Sequence, residues 1–270
     1  MPRLYASLAS QEDRTCFEWL VVDDGSTDGT RELIKGFIKE NKVRIRYIYK
    51  ENGGKPSAYN VGIEKAEGDL FFCVDSDDWL TGGAVELIKA RSKAVLENEK
   101  LGGYAGLCEF SGGRLLEKPY NKEFVCDTIT IKDKYKAKDK PEIVKTAVLK
   151  NYRFPLIGGE KFITEAVQTD LLTRDFPFLY TNDILKGVEY LSDGLSASST
   201  ALRVKNINGT LLYYAQRIRM TKRPVARIRT KINYARFCFH KGETHGLGLP
   251  YKLAGYYMYR KDLLAIAKTD

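Results

Sequence analysis

Apolar and polar positions in the first half of the chain follow two alternating periods. Phe17 to Val22 (FEWLVV), Asp69 to Val74 (DLFFCV) and Tyr104 to Phe110 are apolar runs of strand length. Arg44 to Tyr49 (RIRYIY) alternates with period two, which predicts a strand with one wetter face. Between these runs, Pro2 to Ser10, Thr30 to Glu40, Ser57 to Ala66 and Gly83 to Leu96 read as helices, with Asp28 or Thr30 as a cap for the second. Such strand–helix alternation over short connections predicts an α/β fold, a mostly parallel twisted sheet with helices on both faces.

The second half is less regular. Residues 111–140 are polar and lysine-rich and read as a strand or two plus loop. Pro141 to Tyr152 and Thr164 to Leu172 predict helices, and Lys186 to Leu191 a short strand. From Thr200 onward the chain turns to helical runs heavy in arginine and lysine. The expected division is an α/β domain over 1–198 and a basic helical extension over 199–270.

Composition narrows the partners. Apolar residues at 43% and aromatics at 11% fit a globular chain rather than a disordered one. A formal charge of +9 calls for an anionic partner, whether nucleic acid, a phosphate ligand or acidic lipid. The five cysteines have no paired spacing and sit mostly in apolar runs, so buried reduced thiols and a reducing compartment are expected. No stretch reaches the roughly 18 apolar residues of a membrane span, and no apolar signal core follows the N-terminus. The expected location is cytoplasmic. His240 and His245 lie in a polar stretch without zinc spacing and read as surface residues.

Three segments carry candidate chemistry. Asp75-Ser76-Asp77-Asp78 follows an apolar strand directly, and three carboxylates so close repel one another unless a cation sits among them. A hard divalent ion such as Mg²⁺ or Mn²⁺ suits oxygen ligands and bridges to a diphosphate; an acidic turn capping the next helix is the plain alternative. Asp23-Asp24-Gly25-Ser26 also ends a strand, where a carboxylate can accept the N–H of a uracil ring or simply form a turn. Asn52-Gly53-Gly54-Lys55 sets a glycine turn and a cation at a helix start, a place that favours anions, although its spacing is not that of a P-loop. In open α/β sheets ligands bind beyond the carboxyl ends of strands, where both acidic clusters fall.

Taken in order, VVDDGSTDGT, ENGGKPSAYNVGIEKAEGD and FFCVDSDDWL resemble glycosyltransferase family 2. The resemblance is close over residues 3–80 and looser over 155–196. It implies the GT-A nucleotide-sugar fold and a metal-dependent, inverting transfer of a sugar from a nucleotide diphosphate sugar to a glycan or lipid-linked acceptor, as in surface polysaccharide synthesis. By the same resemblance Asp24 recognises the base with Asp23 beside it, Lys55 lies near the nucleotide, and Asp75, Asp77 and Asp78 match the Asp-x-Asp signature for ribose and Mg²⁺ or Mn²⁺. Asp77 is the favoured ligand, with Asp75 or Asp78 sharing the metal. The general base falls in Gly158 to Ala166, where Glu165 is the first choice and Glu160 the reserve, since the family's Glu-Asp pair is not present. Glu189 to Ser196 resembles a capsular-polysaccharide-like branch, and by itself reads as a strand and a tight turn at Asp193-Gly194. Family members begin with an apolar strand and a Pro-x-Tyr-Asn-like turn. Here Met1 to Leu4 already reads as the first helix, so a central strand of about ten to fifteen residues with its turn is expected to be missing.

Two other readings stand beside this one. A nucleic-acid-binding protein would use Arg217 to Arg236 as its footprint but has no use for the Asp75 cluster, so no nucleic acid partner is expected. A truncated, inactive relic would bind the nucleotide sugar without turnover. The same basic run, interleaved with apolar residues, also suits docking to the anionic inner face of a membrane, with Pro224 splitting it into two short helices.

Overall fold

A computed structural model describes residues 1–189, 199–243, 246 and 248–266. The segment from Tyr190, with the boundary near Ser198 and the turn at Asp193-Gly194, lies outside the described residues, as does His245. The chain forms two compact units. The first comprises Met1–Gly53, Ser57–Arg153 and Gln168–Tyr190; the second comprises Gly54–Pro56, Phe154–Val167 and Leu191–Asp270.

The first unit begins α1 (Pro2–Ala9), β1 (Trp19–Asp23), α2 (Thr30–Glu40), β2 (Ile45–Tyr49) and α3 (Lys55–Lys65, whose first residues belong to the second unit). It continues β3 (Leu70–Phe72), β4 (Trp79–Leu80), α4 (Ala84–Glu97), β5 (Gly103–Phe110), β6 (Phe124–Cys126), α5 (Thr128–Tyr135), β7 (Glu142–Lys145) and α6 (Thr146–Leu149). It closes with α7 (Ala166–Asp175, whose first two residues belong to the second unit) and β8 (Phe178–Val188). β1 and β2 pair in parallel as a sheet of their own, and the larger sheet runs β3-β7-β5-β8-β4 with β6 on β8. One core lies beneath both: Val21 and Phe37 share a cluster with Leu80, Tyr104, Ile143 and Leu185. A Cβ on Gly62 of α3 would lie 3.8 Å from Val22 of β1 and 3.7 Å from Phe71 of β3, so this face of the helix is turned to both sheets.

The α/β class read from the sequence stands, but parallel pairing is confined to β1–β2 and β5–β8 among the described strands. The other pairs are antiparallel because strands the periodicity did not mark enter between the expected ones. Pro141 to Tyr152, expected as a helix, starts as β7, in register with β3 on one edge and β5 on the other. Ile143 and Val144 are buried there, and four apolar-rich residues fit a central strand as well as a helical turn. Within 111–140 a helix, α5, was not expected; Asp127 caps it by accepting from the Thr130 amide at 2.8 Å. The strand expected at Lys186 is the end of β8, which begins at Phe178.

The second unit is helical: α8 (Ser199–Lys205), α9 (Ile207–Met220), α10 (Pro224–Lys241) and α11 (Leu249–Ile266). Pro224 opens α10, as expected, although the helices on either side are longer than short. Residues 154–167 pack here rather than with the sheet. Asn206 explains part of this, accepting the Lys161 and Phe162 amides at 3.0 and 3.1 Å. Two expectations are corrected. His240 is not at the surface: its side chain is 4% exposed and its Nε2 lies 2.9 Å from Asp262. Of the cysteines, Cys108 and Cys238 are buried, but Cys16 and Cys73 are exposed, since both fall where their strands have ended or not begun.

Candidate active site

Asp23 ends β1 and is buried. Its carboxylate accepts the Tyr47 hydroxyl at 2.5 Å and the Ser26 amide at 2.8 Å. Burial pushes the group up, but these two donors outweigh it and hold the carboxyl below the usual aspartate value. Asp24 points elsewhere: Oδ1 accepts Lys50 Nζ at 2.6 Å and the Gly53 amide at 2.9 Å. Gly25 has a positive φ of 80°, and a Cβ there would lie 2.8 Å from the Asn52 nitrogen. The close approach lets the 52–53 turn seat against the acidic turn, with Asn52 Nδ2 donating to the Asp24 carbonyl at 2.7 Å. Two adjacent aspartates are thus fixed at one strand end by different partners. Tyr47 and Lys50, which sequence reading did not single out, do the fixing; only the β1–β2 register, pairing Asp23 with Tyr49, brings them there.

Of the second cluster, Asp75 and Asp77 are exposed and Asp78 is buried. Asp78 Oδ2 accepts Lys186 Nζ at 2.6 Å, and Lys186 is itself buried. Burial alone would favour the neutral amine, but the bond to Asp78 holds Lys186 protonated. The next residue, Trp79, lies opposite Gly187 in the β4–β8 ladder. A Cβ on Gly187 would fall 1.9 Å from the indole, so only glycine admits the ring. Lys186 and Gly187 therefore tie the end of the acidic run to β8. Neither carried a signal of its own in the sequence.

This arrangement bears on the expected metal. Among the described residues no group of three or more His, Cys, Asp or Glu side chains converges as a ligand set. Asp78 is committed to Lys186, while Asp75 and Asp77 offer hard oxygen donors toward solvent. Mg²⁺ is commonly held by one or two carboxylates together with substrate phosphates, and two exposed aspartates fit that pattern.

The remaining candidates belong to the second unit. Lys55 Nζ lies 2.6 Å from Glu165 Oε1, both partly exposed. Glu160 is used differently. Its Oε1 accepts the Asn208 amide at 2.7 Å and Asn208 Nδ2 at 2.9 Å, and its Oε2 the Gly209 amide at 2.7 Å. These amides open α9, so Glu160 caps that helix and faces its positive end. The structure pairs Lys55 with the first-choice base and gives the reserve a capping task.

Known proteins place these features in context. The family model described as glycosyl transferase family 2 matches residues 1–94, which span both acidic clusters and the glycine turn. Over residues 1–94 the chain is similar to glycosyl transferase family 2. An uncharacterized glycosyltransferase of Haemophilus influenzae is 30% identical over 148 residues, covering 54% of this chain and 57% of its own. The poly(ribitol-phosphate) β-N-acetylglucosaminyltransferase TarS of Staphylococcus aureus is 36% identical over 78 residues, 28% of this chain and 14% of TarS. The chain thus spans little more than half of the first relative and a small part of the second. The crystal structure of TarS 1–349 in complex with UDP-GlcNAc superposes with a TM-score of 0.61 over 94% of this chain and 74% of that one, at 20% identity. The chain has the GT-A fold.

Proposed function

We propose that the chain transfers a sugar from a nucleoside diphosphate sugar to a glycan or lipid-linked acceptor, with inversion at the anomeric carbon, in the synthesis of a surface polysaccharide. The observation that carries the reading is the pair of acidic strand ends in the first unit, one clamped by Lys50 and Tyr47, the other leaving Asp75 and Asp77 exposed beyond β3. The family match over the same residues and the nucleotide sugar held by TarS support it.

In this reading Asp24 accepts the ring N–H of the base, and Asp23 keeps the loop in shape through Ser26 and Tyr47. Asp75 and Asp77 would hold Mg²⁺ or Mn²⁺, with Asp75 also near the ribose. A bound divalent ion supplies charge neutralisation for the departing diphosphate. By the family resemblance Lys55 is a basic position near the nucleotide, and within the second unit it is ion-paired with Glu165. Glu165 takes the proton of the acceptor hydroxyl as that oxygen attacks the anomeric carbon and the nucleoside diphosphate leaves. Glu160, occupied at the start of α9, is the weaker candidate for that task. No helix among the described residues is long and apolar enough to cross a membrane. We place the enzyme in the cytoplasm, peripheral to an anionic membrane surface through its basic C-terminal helices.

The test is nucleoside diphosphate release from a panel of nucleoside diphosphate sugars with Mn²⁺ or Mg²⁺. Release is expected from at least one donor, and its loss in Asp77→Ala. Release that survives unchanged in Asp77→Ala and in excess chelator would remove the metal from the account.

A further inference from the structure

Helix α11 wears its amphipathic pattern inside out. One face is locked to α10. Gly255 sits so close that a Cβ would lie 2.6 Å from the Ala235 Cβ, and Phe239 stacks near Tyr259 with ring centroids 5.9 Å apart. Beneath them Asp262 accepts Arg236 Nε at 2.5 Å and faces His240. The opposite face is exposed yet apolar: Leu249, Leu253, Tyr257 and Leu264 fall at i, i+4, i+8 and i+15, a single helical stripe, with the half-exposed Tyr256 at its edge, where its ring meets Phe239 of α10 at 5.2 Å between centroids. Leu249 is 69% exposed and Tyr257 62%. Val225 and Ile228 of α10 are exposed as well. Monomeric proteins rarely leave such contiguous apolar surface in water.

The charge around the stripe has one sign. Ser199 through Gly242 contains no aspartate or glutamate, and the one acid of α11, Asp262, is buried on Arg236. Lys222, Arg227 and Arg229 on the α10 side and Arg260 and Lys261 on α11 are exposed. Lys261 stands 4.6 Å from the Tyr257 ring and Arg260 donates to the Tyr256 hydroxyl at 3.4 Å, so cations and aromatics share one surface. Not all of the basic run is outside: Arg217 is buried and Arg236 is taken by Asp262.

We propose that the α10–α11 pair docks on an anionic lipid bilayer, with the outward stripe of α11 entering the interface and the exposed cations meeting the headgroups. The inference rests on the peripheral placement proposed above and assigns its contact surface to a helix the basic run does not include. Interfacial helices bind by buried apolar area together with attraction to anionic lipid, and both components are present. A second copy would bring like charges together. A soluble polyanion would match the cations but leave the stripe in water.

Co-sedimentation of the whole chain with phosphatidylglycerol-containing vesicles against pure phosphatidylcholine vesicles tests this. Partitioning should favour the anionic vesicles by about tenfold or more, and Leu253→Ser/Tyr257→Ser should weaken it by about the same factor. Because both side chains are exposed, melting of the variant should be unchanged. Independently, Leu253→Trp should gain fluorescence quenched by brominated lipid, above the background of Trp19 and Trp79. If binding to anionic vesicles is intact in the double variant and Leu253→Trp is not quenched, the α11 surface is wrong while peripheral binding through other cations stands. If no anionic vesicles are bound, both fail. Binding to inorganic polyphosphate that matches or exceeds binding to anionic vesicles would assign the surface to a soluble polyanion and overturn the proposal.

Discussion

Lys186 Nζ and Asp78 Oδ2 meet at 2.6 Å where β4 crosses onto β8, with both side chains close to fully buried. The pair removes one of three neighbouring carboxylates from solvent and balances it internally. Lys186→Met leaves that carboxylate buried without its cation, which should cost about 3–5 kcal/mol. Adding Asp78→Leu removes the stranded charge and should return much of the loss. Denaturant unfolding of the single and double variants measures this; equal stability of Lys186→Met and the parent chain would contradict it.

The two glutamates of the 158–166 segment should separate cleanly. Glu165→Gln keeps the shape but removes a proton acceptor, so turnover should fall by about 10²-fold or more with donor affinity and melting little changed. Glu160→Ala removes the acceptor of two α9 amides and should cost about 0.5–2 kcal/mol of stability, with turnover of the folded fraction retained. Steady-state kinetics with calorimetric melting reads both, and the reverse pattern would exchange the roles.

Asp23 makes the acid limb of stability testable. Its folded value lies below the ordinary aspartate value of 3.8, held there against burial by Tyr47 and Ser26. Its contribution is therefore complete above that ordinary value and lost as pH falls through the folded one. Asp23→Asn should lower the melting temperature at neutral pH and flatten its decline in acid. A variant whose melting curve parallels the parent at every pH would show that Asp23 is not the linked group.

Contiguity decided what could be read from the chain. Asp23-Asp24 and Asp75 to Asp78 each lie within one turn after an apolar strand, so sequence alone placed them at strand ends. Their partners are far away in the chain. Lys186 and Gly187 lie about a hundred residues beyond the acids they position and become visible only through the β4–β8 register. β7 escaped because Ile143 and Val144 are buried between two strands, where a run of four residues carries no period. His240 looked polar and exposed because its partner Asp262 belongs to another helix. The stripe on α11 was hidden for the opposite reason: its spacing is helical, but the face that packs is the one holding Gly255 and Asp262.

The central claim is that the two acidic strand ends of the first unit hold a nucleoside diphosphate sugar. Titration calorimetry of the chain with nucleoside diphosphate sugars, with and without Mn²⁺, tests it most directly when repeated on Asp24→Asn and Asp77→Ala. Binding of at least one donor is expected, with Asp24→Asn weakening it by at least about tenfold whether or not Mn²⁺ is present, and Asp77→Ala abolishing only the part that depends on Mn²⁺. Donor binding that is the same in the parent and in both variants would contradict the claim.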